Sequence, residues 1–90
     1  MEIYAELFKA LAHPIRLKIV CGLMTKDECN VSLMVEKLGV PQPTVSQHLN
    51  ILKNAGIITG YKKGTQICYK ITDEKTKKII SSLEIELCEQ

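Results

Sequence analysis

The sequence predicts a mostly α domain with one small β-hairpin, in the order α-α-α-α-β-β-α, in which a helix-turn-helix is followed by a wing. Three observations predict it. Apolar residues recur at helical spacing from Ile3 to Ala55, and the period then drops from about 3.6 to about 2 residues between Ile57 and Ile71 before returning to helical. Gly or Pro punctuates the breaks at Pro14, Gly39, Pro43, Gly56 and Gly64.

Each element has its own justification. Glu2 to Ala12 places Ile3, Leu7, Ala10 and Leu11 on one face with Tyr4 and Phe8 beside them, a wide apolar stripe that His13-Pro14 interrupts. Pro14 suits the first turn of a second helix, where Ile15, Ile19 and Leu23 with Leu17, Val20, Cys21 and Met24 make the surface apolar nearly all round. That helix is expected at the centre. Thr25 to Asn30 is a polar connection, and Val31 to Leu38 is a short helix closed by Gly39 as a left-handed cap. Pro43 marks the next start with Gln42 as its cap; Val45, Leu49, Leu52 and Ala55 form the stripe, and Gly56 is the stop. The turn Gly39-Val40-Pro41-Gln42 joins these two helices into a helix-turn-helix. Ile57 to Tyr61 and Ile67 to Ile71 form a hairpin around Lys62-Lys63-Gly64-Thr65, with Ile67, Tyr69 and Ile71 inward and Cys68 and Lys70 outward. Thr72-Asp73-Glu74 caps a last helix bearing Ile79, Ile80, Leu83 and Leu87.

The composition, 46% hydrophobic and 24% charged, is that of a globular chain, with no apolar run near the roughly 20 residues a membrane span needs. Residues 1–90 are read as one domain. A chain of this size buries only roughly 60 to 65% of its unfolded surface, so stabilisation by dimerisation fits. Met1-Glu2-Ile3-Tyr4-Ala5-Glu6 has neither the basic start nor the apolar core of a secretory signal, which points to a reducing cytoplasm, where structural disulfides are rare. Net charge is +2, but no Asp or Glu occurs from Lys37 to Thr72, while Lys37, Lys53, Lys62, Lys63 and Lys70 fall within that stretch. A purely basic segment of this kind is what a surface facing a polyanion requires.

With Val45, Leu49 and Leu52 turned to the core, the helical step of about 100° puts Ser46, Gln47, Asn50 and Asn54 on the other side and Thr44 at the flank. Glu and Lys would be stronger helix formers there. Short side chains that both donate and accept hydrogen bonds suit base edges and phosphates in a major groove, which carboxylates would be repelled from. Gln42, Thr44, Ser46, Gln47 and Asn50 are therefore the candidate DNA-contacting residues of the helix, and Lys62, Lys63 and Thr65 those of the hairpin tip. His48 falls at the border of the apolar stripe and reads as a packing or hydrogen-bonding residue.

"KALAHPIRLKIV", "VPQPTVSQHLNILKNAGII" and "GTQICYKI" together resemble the ArsR-type winged-helix repressors over nearly the whole chain. The resemblance implies a homodimer built on the first and last helices. It also implies binding to an imperfect palindrome in double-stranded operator DNA, and release when an inducer arrives.

Metal-sensing members resembling this chain place Cys-Val-Cys at the start of the third helix, where Asn30-Val31-Ser32 stands here with Cys29 one position early. Others use Asp and His on the last helix, and Asp73 to Gln90 contains no His. No metal site and no cofactor is therefore expected. "RLKIVCGLM" and "ISSLEIELC" instead resemble the persulfide-sensing branch, of the BigR and SqrR type, in which one cysteine from each of these two helices forms a pair. That resemblance implies Cys21 and Cys88 as a dithiol, oxidised by reactive sulfur species to a disulfide or polysulfide bridge, with Cys29 and Cys68 as bystanders.

Two rival readings stand beside this one. A repressor of the same class could answer arsenic(III) or a soft metal through its thiolates, and a winged-helix module could bind proteins with neither DNA nor effector. An enzyme is not expected: there is no Cys-x-x-Cys, no glycine-rich phosphate loop and no histidine close in sequence to a cysteine.

Overall fold

The computed structural model describes residues 1–25 and 30–83. Its elements are α1 (Glu2–Leu11), α2 (Pro14–Thr25), α3 (Val31–Leu38), α4 (Gln42–Asn54), β1 (Ile58–Lys63), β2 (Gln66–Ile71) and α5 (Glu74–Ser82). Helix α2 packs against all the other helices and β2, as its apolar circumference demands. Val20 and Cys21 are almost fully buried there, and with Leu7, Leu11, Val45, Leu49, Leu52, Ile57 and Ile80 they form one continuous core.

The helix ends follow local chemistry. Asn30 caps α3 by accepting a hydrogen bond from the Leu33 N–H at 2.8 Å, and Gly39, at φ 68°, closes α3 in the left-handed region that a Cβ disfavours. At the start of α4 the structure corrects one expectation. Gln42 is the first helical residue and Pro41 takes the cap position, its carbonyl accepting from Thr44 N at 3.0 Å and Val45 N at 3.2 Å. Proline is suited to that place, since its extended ψ of 152° costs nothing and its missing N–H would have had no partner there.

Strands β1 and β2 pair antiparallel, from Ile58 opposite Ile71 to Lys63 opposite Gln66, so Lys62 and Lys63 end the first strand and the turn itself is only Gly64-Thr65. Gly64 has φ 66°, as a two-residue hairpin turn requires. The expected facing of β2 is also corrected: Cys68 is 1% exposed and Ile67 52% exposed. Both parities of this strand carry apolar groups, so alternation alone does not choose the inward face. Packing does. Helices α2 and α5 lie against β2 and bury Cys68, with Asn30 paired to it along the strand edge, while Ile67 lies near the tip, outside the core.

Asp73 caps α5, accepting from the Thr76 N–H at 2.9 Å and the Thr76 hydroxyl at 2.6 Å, and Thr76 is fully buried. Replacing Asp73 with Ala strands both donors. The expected loss is about 1–3 kcal/mol of unfolding free energy, read as a lower urea midpoint with the slope unchanged.

Candidate nucleic-acid interface

Helix α4 is held by the burial of Val45, Leu49 and Leu52 and packs on α3, α2, β1 and α1. Its other side presents Gln42, Gln47, Asn50, Lys53 and Asn54 to solvent, while Thr44 and Ser46 are half-buried at the flanks. On the hairpin, Lys62, Lys63 and Thr65 are exposed. The half-buried pair has less freedom to reach a ligand than Gln47 and Asn50. No acidic side chain belongs to α4, β1 or β2, so nothing on these elements opposes a polyanion.

Three residues not singled out as contacts hold these parts in place. Asn30 donates from Nδ2 to Gln66 Oε1 at 3.0 Å, and so ties the start of α3 to the hairpin. Arg16 donates from Nε to the Ala10 carbonyl at 2.5 Å and from Nη1 to His48 Nδ1 at 3.0 Å, linking α1, α2 and α4. His13 stacks obliquely on His48, with ring centroids 4.4 Å apart. A signal for this group exists in the chain: Arg16 is a charge on a largely apolar helix, one turn past His13. Burial, then His13, then Arg16 lower the pKa of His48 from its ordinary value.

The cysteines are in different situations. Cys21 is 1% exposed on α2 and is disulfide-bonded. Cys68 is a buried thiol. Cys88, and Cys29 with it, lie outside the described residues. Among the described residues no group of three or more His, Cys, Asp or Glu side chains could hold a metal ion, and no helix is long and apolar enough to cross a membrane.

Comparison with known proteins agrees with this geometry. Residues 13–59 match the family model described as bacterial regulatory protein, arsR family, a span running from the start of α2 through α4 into β1. The HTH-type transcriptional repressor SmtB of Mycobacterium tuberculosis is 42% identical over 80 residues, which are 89% of this chain and 58% of that protein. The chain thus spans less than two thirds of SmtB. Among solved structures, the transcriptional repressor PagR of Bacillus anthracis superposes with a TM-score of 0.81 at 40% identity, covering 92% of this chain and 94% of PagR. The transcriptional repressor BigR from Xylella fastidiosa does so with a TM-score of 0.80 at 34% identity, covering 97% and 88%. Five helices and a two-stranded hairpin in this order are a winged helix-turn-helix, and the chain belongs to the arsR family of bacterial regulatory proteins.

Proposed function

We propose that the chain is a transcriptional repressor that binds an imperfect palindrome of double-stranded operator DNA as a homodimer. It releases that DNA when Cys21 and Cys88 are oxidised as a pair by persulfide or another reactive sulfur species. One observation carries the DNA-binding reading: a helix rigidly seated by Val45, Leu49 and Leu52 turns uncharged hydrogen-bonding side chains to solvent, next to a hairpin ending in Lys62 and Lys63. Gln47 and Asn50 would read base edges in the major groove, flanked by Gln42, Thr44 and Ser46, while Lys62, Lys63 and Thr65 meet the backbone or the adjacent minor groove.

The dimer reading is supported by an uncovered apolar surface. Ile3 is 82%, Phe8 55% and Leu83 50% exposed, and α1 meets α5 where Lys75 Nζ donates to the Tyr4 hydroxyl at 2.7 Å. Exposed apolar side chains on α1 and at the end of α5 suit a second copy of the same surface.

The sulfur chemistry balances without a further reagent. A Cys21 thiolate takes the outer sulfur of a persulfide, releasing a thiol. The second cysteine then displaces that sulfur as hydrosulfide, leaving a disulfide; the persulfide has accepted the two electrons. The disulfide at Cys21 supports this residue as the redox-active one, as does the likeness to the persulfide-sensing branch. By linkage, the bridge lowers DNA affinity only to the degree that it is better accommodated in the DNA-free conformation.

The test is binding to the DNA upstream of its own gene as salt is varied. Steep salt dependence is expected, and a flat dependence overturns DNA binding in favour of a protein-interaction module. Replacing both Lys62 and Lys63 by Ala should lower the log–log salt slope by about one unit for each phosphate no longer neutralised, about four in a dimer. Gln47→Ala should weaken binding about tenfold or more at fixed salt, in reduced and oxidised protein alike.

A further inference from the structure

We propose that Arg16 and His48 form a pH-sensitive clamp that positions α4 against the corner of α1 and α2, so that acidification weakens DNA binding. The inference rests on the reading of α4 as the DNA-contacting helix. Its basis is the geometry where a single side chain, Arg16, joins α1, α2 and α4. The guanidinium of Arg16 has donors only, so the His48 Nδ1 that it reaches at 3.0 Å must present a lone pair. Nε of the same group is already held by the carbonyl of Ala10, the penultimate residue of α1, and cannot swing away without breaking that bond. His13 closes the other side: its ring lies 4.4 Å from that of His48, and its own Nδ1 accepts from the Ile15 N–H at 3.1 Å.

A proton on His48 Nδ1 removes the acceptor and puts a second positive charge against the guanidinium, with the neighbouring imidazole beside it. The bond to Arg16 must then break, and α4 loses its tether at the residue next to Gln47. Among the described residues no carboxylate relieves this repulsion. Glu2 and Glu6 of α1 line a cleft together with Lys9 and Arg16, and neither forms an ion pair with the guanidinium. Lys18 of α2, Glu36 and Lys37 of α3, Lys53 of α4 itself, and Lys62 and Lys63 of β1 are all exposed. The groups that bear on the ring are His13 and Arg16, and both act with burial to keep it neutral.

The sign is fixed by this lowering. A histidine whose pKa is depressed in the clamped state binds its proton more readily when unclamped. The clamp is therefore at full strength above about pH 6.5 and is lost as pH falls from there through the lower value. A DNA-facing histidine outside such a clamp behaves oppositely, since its protonation adds a cation and tightens binding.

The experiment is a titration of DNA affinity from about pH 8 to about pH 5.5 at constant salt, for the parent chain, His48→Asn and Arg16→Met. The asparagine oxygen takes the place of Nδ1 as acceptor and does not titrate. Expected are a fall of about tenfold for the parent, the size of one charge-assisted hydrogen bond, a flat profile for His48→Asn, and weak, pH-independent binding for Arg16→Met. In parallel, the His48 ring is titrated by NMR without DNA, and its pKa should rise in Arg16→Met. Affinity that is unchanged or increased in acid, or a decline that persists in His48→Asn, overturns the clamp; these two chains decide the matter if Arg16→Met does not fold. Failure of the parent to bind DNA at about pH 8 instead overturns the role of α4. The NMR titration then judges the clamp alone, and an unmoved His48 pKa in Arg16→Met refutes it.

Discussion

Cys21→Ala should bind operator DNA within about twofold of the parent and lose all response to a persulfide donor, whereas the parent chain releases its DNA. Cys21 is 1% exposed within α2 and takes no part in the exposed face of α4, so its truncation removes a sulfur from the core and leaves the outward side chains of α4 in place. Alanine is the better replacement at this depth, because serine would bring a hydroxyl whose burial without a partner costs about 1–3 kcal/mol. The conservative change at the other cysteine, Cys88→Ser, should have the same outcome. Intact-protein mass distinguishes the chemistries. A disulfide loses one hydrogen from each thiol, a polysulfide bridge gains whole sulfur atoms, and a thiolate-bound arsenic adds its own mass. Persulfide-driven release that survives in either variant ends the paired-sulfur mechanism, and release by arsenite alone replaces it with the soft-metal one.

Leu52→Ala should be the most destabilising single truncation in α4, by about 2–5 kcal/mol. Leu52 is fully buried in the core, and a close-packed interior collapses only partly into the space such a truncation leaves. A domain of this size has only about 5–15 kcal/mol in total, and each kcal/mol moves the melting temperature by about 4–8 °C, so the midpoint should drop by at least about 8 °C. The adjacent Ile51 is 38% exposed, and Ile51→Ala should change stability by no more than about 0.5 kcal/mol. Equal losses at the two positions in thermal unfolding would show that α4 is not seated by its Val45-Leu49-Leu52 stripe.

Much of the architecture is legible in the chain because the signals are local. The periodic stripes of α1, α2 and α4, the Gly39 stop and the Gly64 turn are each set within a few residues, by side-chain spacing or by a positive φ. Gln42 reads as a cap in the sequence because Pro41 and Pro43 both satisfy the helix-start rule, and only the carbonyl of Pro41 receiving Thr44 and Val45 decides between them. The sequence likewise points Cys68 and Ile67 to the wrong faces, because alternation states which residues share a side, not which side is covered. The packing of α2, far from the strand in sequence, against β2 makes that choice.

The candidate site divides along the same line. That α4 turns Gln47 and Asn50 outward, and that the hairpin ends in lysines without a nearby acid, is determined by sequence alone, since the apolar stripe fixes the opposite face and composition fixes the charge. The joining of Arg16 to Ala10 and His48 and the stacking of His13 on His48 were decided only by the tertiary structure. They depend on the angles at which α1, α2 and α4 cross, and those angles come from the packing of the whole core rather than from the order of residues in any one helix.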